Sequence, residues 1–190
     1  TGSVLPNGSI VEEVRNGEGA TVAGVNFEGG FSPSEKLAFQ LGGTAQQTRY
    51  LEPQVLFEPE EEGENAIAVE EFVRTPKLYG YFTPLSTVTQ DLKLDLTGSY
   101  TGAMVVPRVV GEDGALALVD TNPFLDMNLK ASYHIDVVED FHLEISGGVK
   151  NIFNSYQQEF DSGPQRDSDF IYGPAAPRSL FLSLKIGNLH

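Results

Sequence analysis

The chain has 190 residues, enough for one domain or a large part of one, and 40% of them are hydrophobic. Its 27 Asp and Glu against 12 Lys and Arg give a formal net charge of −15, which repels phosphate backbones and excludes nucleic acid as a partner. The absence of cysteine removes disulfides, thiolate metal sites and cysteine nucleophiles. No apolar run approaches the roughly 18 to 20 residues of a spanning helix, but a transmembrane strand needs only about 9 to 11.

Residues 1–19 read as an outer loop or the end of a preceding strand. From residue 20 to 190 apolar and polar residues alternate with period two, and no window holds helical spacing for long. A less regular strand covers 20–29. Leu37, Phe39, Leu41, Gly43 and Ala45 then alternate with Ala38, Gln40, Gly42, Thr44 and Gln46. A second irregular strand is expected over 72–82. Leu92, Leu94, Leu96, Gly98 and Tyr100 oppose Lys93, Asp95, Thr97 and Ser99, and Met127 to Ile135 repeats the pattern with Asn128, Lys130, Ser132 and His134 on the polar side. Phe141, Leu143, Ile145, Gly147 and Val149 oppose His142, Glu144, Ser146 and Gly148, and Leu180, Leu182, Leu184 and Ile186 oppose Phe181, Ser183 and Lys185. The pattern yields about seven strands in all.

Connection lengths alternate. Turns at 30–36, 84–90 and 136–140 are short, whereas 51–71, 107–123 and 157–177 are long and rich in Gly, Pro, Glu and Asp. In an up-and-down meander all the long loops share one rim, the asymmetry of an outer-membrane barrel. Tyr79, Tyr81, Phe82, Phe141, Phe153 and Tyr156 gather near strand ends, as an interfacial girdle requires. A soluble secreted β-sandwich binding a ligand also alternates along its strands. Strand length, one-sided loops and terminal aromatics favour the antiparallel up-and-down transmembrane β-barrel segment.

Gly148-Val149-Lys150-Asn151-Ile152-Phe153-Asn154 resembles the "v-x-N-l-f" stretch of the penultimate strand of TonB-dependent receptors, and Tyr172-Gly173-Pro174 with Pro177-Arg178-Ser179-Leu180 resembles the "YGP…PR" signature before their final strand. Val73-Arg74-Thr75-Pro76 is similar to the "R-x-P" strand start and Ala23-Gly24-Val25-Asn26-Phe27-Glu28 to the "G-v-E-l" strand, in the family's order. The terminus Ile186-Gly187-Asn188-Leu189-His190 departs from the terminal aromatic of the family, and no stretch resembles its plug.

The resemblance implies the C-terminal part of a plugged barrel in the bacterial outer membrane. Such a barrel has about 22 strands, so this chain would form roughly the last third. The strand from residue 20 is expected to pair with a strand outside the chain, and the strand from 179 with the receptor's first. The implied role is uptake of a scarce large nutrient (siderophore, haem, cobalamin or glycan), not catalysis, with no resident cofactor. The implied partners are outer-membrane lipid, the plug and earlier strands (in the same protein or a companion chain), the TonB energy-coupling complex acting through them, and a surface lipoprotein.

Phe160, Arg166, Asp167 and Tyr172, in the last long loop, combine aromatic faces with charge and are the expected ligand-binding residues. Glu58, Glu60, Glu61, Glu62 and Glu64, like Asp161, Asp167 and Asp169, raise Ca²⁺ as a ligand, but the Asp-x-Asp-x-Asp-Gly order is missing and a solvated acidic loop is the simpler reading. His134 and His142 fall on the polar face, where water or plug contacts satisfy an imidazole; no His-Glu-x-x-His or comparable spacing exists, so a structural role is the simpler reading than a metal or acid–base one, and their placement away from lipid disfavours an outer-membrane lipid hydrolase. Asn7-Gly8-Ser9 is a coincidental sequon.

Overall fold

The computed structural model describes residues 2–4, 10–12, 19–57, 66–110, 115–138, 141–164 and 166–187. The acidic run from Glu58 to Glu64, the Asn7-Gly8-Ser9 tripeptide and His190 lie outside them. The elements are β1 (Gly2–Val4), β2 (Ile10–Glu12), β3 (Ala20–Ser34), β4 (Leu37–Tyr50), β5 (Gln54–Phe57), β6 (Ile67–Val69), β7 (Leu78–Thr87), β8 (Leu92–Thr101), β9 (Val105–Val110), β10 (Ala115–Asp120), β11 (Phe124–Val138), β12 (Phe141–Lys150) and β13 (Ser179–Gly187).

Seven strands form one open antiparallel sheet in the order β13-β12-β11-β8-β7-β4-β3, a meander whose neighbours in space are neighbours in sequence once the outer hairpins are set aside. The seven expected strands are these seven. Strands β3 and β13 stand at opposite edges and do not pair with each other. The seven run from 9 to 15 residues, long enough to cross a bilayer when tilted.

The alternation becomes two chemically distinct faces because cross-strand partners share a side. Leu96 faces Leu129, Leu129 faces Val149, and Val149 faces Leu180. On the other side Lys130 lies between Asp95 and Gly148, and Ser132 between Lys93 and Ser146. The apolar face stays open, with Val25 69%, Leu180 81% and Leu182 82% exposed. A sandwich would lay a second sheet across that face. Among the described residues the remaining strands form only the two-stranded pairs β1–β2, β5–β6 and β9–β10.

Glycines on the apolar face make room for rings from the next strand. A Cβ on Gly98 would fall 2.2 Å from the Phe82 ring, and one on Gly43 2.8 Å from that of Phe27. In each pair the ring covers backbone that the glycine leaves bare, which pins the register.

Several expectations need correction. The turns expected at 30–36 and 136–140 are shorter, because β3 runs on to Ser34 and β11 to Val138. The strand expected over 72–82 starts at Leu78 and runs to Thr87. Upstream of it Pro76 has no N–H, Arg74 is left-handed with φ 56°, and the Phe72 amide donates to Thr48 Oγ1 at 3.0 Å, so these donors leave the ladder. At Pro84 the strand continues past the expected turn, and the β7–β8 pairing skips Thr83 and Pro84 before resuming at Leu85. Two of the long connections are not simple loops but carry the hairpins β5–β6 and β9–β10. Finally, Tyr79 and Tyr81 face the polar side, where Tyr81 Oη donates to Glu28 Oε1 at 2.9 Å, and so are not part of a lipid-facing girdle.

Candidate functional site

The long connections meet at one end of the sheet, and the residues of the sequence motifs fasten them there. Asn151 follows β12 in a left-handed conformation, φ 51°, which asparagine tolerates better than most residues. It is 4% exposed. Its backbone N–H donates to Asn128 Oδ1 at 3.0 Å, its Nδ2 to the carbonyls of Ser155 (3.2 Å) and Ala176 (3.0 Å), and its Oδ1 accepts from Ser155 N at 2.8 Å. Asn154 Oδ1 accepts from Arg178 N at 2.9 Å, and Arg178 Nη1 reaches Ile152 O at 3.4 Å. The start and the return of the last loop are thereby tied together.

Gln157, 1% exposed, serves the same loop from within. Its Oε1 accepts from Tyr172 N (2.9 Å) and Gly173 N (3.3 Å), its Nε2 donates to Phe170 O (2.9 Å) and Glu159 O (2.8 Å), and its own N donates to Pro174 O (2.9 Å). Buried Phe170 packs against Tyr172, ring centres 5.1 Å apart, and Tyr172 against Phe124 at 6.0 Å. Arg74 bridges from the preceding segment, donating to Asp169 O at 2.6 Å and Ile171 O at 3.0 Å. Arg108 of β9 lies 4.5 Å over the Phe170 ring and pairs with Asp161. Separate connections therefore form one packed rim, with a core of Val106, Phe124 and Phe170.

The four expected ligand residues part company here. Asp167 is a fastener, its carboxylate accepting from Val109 N at 2.8 Å and Asp169 N at 2.9 Å. Tyr172 is half-buried in the aromatic cluster, with its phenol pushed up first by burial and then by the charge of Glu159. Phe160 is 47% exposed, and Arg166 is exposed and bonds within its own turn, to Gly163 O at 3.4 Å. The structure thus brings Asp167 and Tyr172 into the rim's packing and leaves Phe160 and Arg166 presented to solvent. Asp161 and Asp167 spend their oxygens on protein donors, which fits loop structure better than a Ca²⁺ cage.

The Val109 amide, helped by those of Asp169 and Phe170 and by the charge of Arg74, holds the Asp167 carboxyl below its ordinary range against the opposing effect of burial. A carboxyl lowered on folding stabilises the fold above its unfolded value, and that contribution is lost as pH falls through the lowered native value. Exchange of the Val109 amide is therefore expected to rise, relative to amides of β12, as pH drops below about 3.9. Asp167→Asn should exchange faster at neutral pH and lose the excess acid response; an unchanged pH profile in that variant would remove Asp167 as the cause.

At the opposite end of the polar face, β11 and β12 bring together three groups that spacing alone does not join. His134 Nε2 lies 3.2 Å from His142 Nδ1 and 3.2 Å from Asp136 Oδ1, and His142 Nδ1 lies 2.6 Å from the same oxygen. Asp136 sits directly across from His142 in the ladder, and the His134 amide is tied to Asp91 O at 2.8 Å. The rings stack with centres 5.1 Å apart. An open pocket of about 380 Å³ lies against them, lined also by Ser132, Glu144, Lys93 and Lys185. Among the described residues no hydroxyl hydrogen-bonds either imidazole, so the Ser–His pair of a hydrolase is not assembled.

No family model matches the sequence, and no curated protein matches it. Among solved structures, a mutant of the ferric enterobactin receptor of Pseudomonas aeruginosa in complex with enterobactin aligns with 90% of this chain and 23% of its own, at 20% identity and a TM-score of 0.52. A second mutant of that receptor aligns with 90% of this chain and 22% of its own, at 20% identity and 0.51. The chain therefore spans under a quarter of the length of the receptors it resembles. In fold it is a seven-stranded portion of β-barrel wall like that of ferric enterobactin receptors.

Proposed function

We propose that residues 20–190 form part of the wall and outer rim of a TonB-dependent receptor in the bacterial outer membrane, with residues 1–19 as an outer loop or the end of a preceding strand. The observation that carries this reading is the likeness to a siderophore receptor over 90% of the chain, joined to the ordered motifs at Arg74, Asn151, Tyr172 and Arg178. The open apolar face would meet lipid, and the polar face would meet a plug supplied by other residues of the same protein or by a companion chain. Energy would arrive through TonB acting on that plug, and a surface lipoprotein would be a further partner. The role is uptake rather than catalysis. The cargo class favoured by the likeness is a ferric siderophore, with haem, cobalamin and glycans as the competing nutrients. Phe160 and Arg166, presented at the rim, would touch it directly, whereas Asp167 and Tyr172 would shape the surface that does.

Binding of ferric enterobactin, haem, cobalamin and a glycan to the detergent-purified receptor containing this chain tests the proposal. Ferric enterobactin should bind, and Phe160→Ala or Arg166→Ala should weaken it on the order of tenfold, or about 1.4 kcal/mol. Binding of haem, cobalamin or glycan alone would overturn the siderophore assignment. A protein that stays monodisperse in plain buffer, without detergent, would overturn the membrane reading itself.

A further inference from the structure

We propose that His134, His142 and Asp136 form a binding site for a divalent transition-metal ion of the zinc type, with its open coordination position facing the barrel interior. The site rests on the geometry of β11 and β12 and not on the identity of any transported nutrient.

Three donor atoms converge on one point. Zinc sits about 2.0 to 2.1 Å from imidazole nitrogen and about 2.0 to 2.2 Å from carboxylate oxygen, so tetrahedral ligand atoms lie roughly 3.3 Å apart. Two edges of the observed triangle, His134 Nε2 to His142 Nδ1 and His134 Nε2 to Asp136 Oδ1, are both 3.2 Å. The third, His142 Nδ1 to Asp136 Oδ1, is 2.6 Å and must open by about 0.7 Å to reach that separation. The Asp136 side chain is 71% exposed and free to do so, while His134 and His142 are 32% and 21% exposed and better fixed.

Protons satisfy this triangle poorly. If both imidazoles donate to Asp136, their two N–H groups face each other across 3.2 Å. If only one donates, the other turns a lone pair toward the carboxylate. A single cation at the centre relieves both conflicts.

The surroundings also point to a ligand. Ser132, 6% exposed and two residues before His134 on the same face, lines the adjoining pocket and has a buried Oγ with no hydrogen-bond partner. A water held in that pocket would give the hydroxyl a partner. Glu144, across the ladder from His134, and Asp91 add negative charge, and Lys93 and Lys185 on the same pocket oppose it. The pocket is thus mixed in charge, and selection falls to ligand type. Two imidazoles and one carboxylate suit Zn²⁺, Co²⁺, Ni²⁺ or Cu²⁺ and not Ca²⁺ or Mg²⁺.

The test is a Co²⁺ titration of the detergent-purified, chelator-stripped receptor containing this chain, read by the visible ligand-field absorption of the metal. One Co²⁺ per chain is expected, displaced by Zn²⁺ and unaffected by excess Ca²⁺. Because the sequence holds three histidines, His190→Ala is an internal control and should leave binding unchanged. His134→Ala or His142→Ala should weaken it at least tenfold, and Asp136→Asn by less. Retention of the folded barrel in each variant, read by its heat-dependent gel mobility, separates lost ligands from lost structure. Absence of a cobalt band at equimolar metal, or binding that survives in a folded H134A/H142A double variant, would overturn the site.

Discussion

Leu96→Arg is expected to destabilise the folded protein in a bilayer by about 2 to 4 kcal/mol, while Thr97→Arg, one residue away, should change stability by no more than about 0.5 kcal/mol. Leu96 points outward from the middle of β8 and faces Leu129, so a guanidinium there must enter hydrocarbon. Thr97 is exposed on the polar face opposite Asn128, whose Nδ2 gives it only a long hydrogen bond of 3.4 Å. Depth supplies a second dimension. Leu94 shares the outward face with Leu96 but lies nearer the short-turn end of β8, where the cost of charge falls toward about 0 to 1 kcal/mol at the interface. Leu94→Arg should therefore cost less than Leu96→Arg. Equilibrium unfolding in lipid vesicles measures all three. Equal penalties on the two faces would show that the apolar face does not meet lipid, and a flat depth profile would show that β8 does not cross it.

The seven strands were legible because each has two chemically different sides, and the side-chain period of two writes that contrast directly into the sequence. The hairpin β9–β10 was not, because Val-Val-Pro-Arg-Val-Val has no alternation and Pro107 argues against a strand. Within it Val106 is fully buried in the loop packing, while Val109, Val110 and Leu118 stay exposed. The rim motifs were legible as letters but not as chemistry. Nothing local says that Gln157 accepts from Tyr172 and Gly173, since the partners are 15 and 16 residues apart. The histidine site illustrates a third case. Alternation correctly places His134 and His142 on one face, but it assigns Asp136 to a turn. The strand instead runs on to Val138 with an irregularity between Asp136 and Val138, and this extension sets Asp136 opposite His142. A three-residue extension of a strand into an expected turn is below what pattern reading resolves, yet it determines whether three ligand atoms meet.

Asn151→Ala should loosen the last long loop by roughly 2 to 4 kcal/mol, with most of the barrel left intact. Two costs add. Losing the side chain strands Ser155 N–H and the carbonyls of Ser155 and Ala176 at a site only 4% exposed, and unpaired buried groups cost about 1 to 3 kcal/mol each, reduced where water reaches them. The left-handed backbone at φ 51° adds roughly 1 to 2 kcal/mol for alanine. Asn151→Gly separates the two, since glycine accepts the backbone conformation but supplies no amide. It should therefore fall between the native protein and the alanine variant, whereas Asn151→Asp should keep the bond from Ser155 N and lose both Nδ2 bonds. The readout is local. Protease cleavage within 155–178, and amide exchange of Ser155 and Arg178, should accelerate in the order native, Gly, Ala, while exchange along β8 and β11 stays unchanged. Equal rates for Gly and Ala would dismiss the backbone contribution. Native rates for both would mean that the loop is held by Gln157, Arg74 and the Phe170 cluster without help from the asparagine.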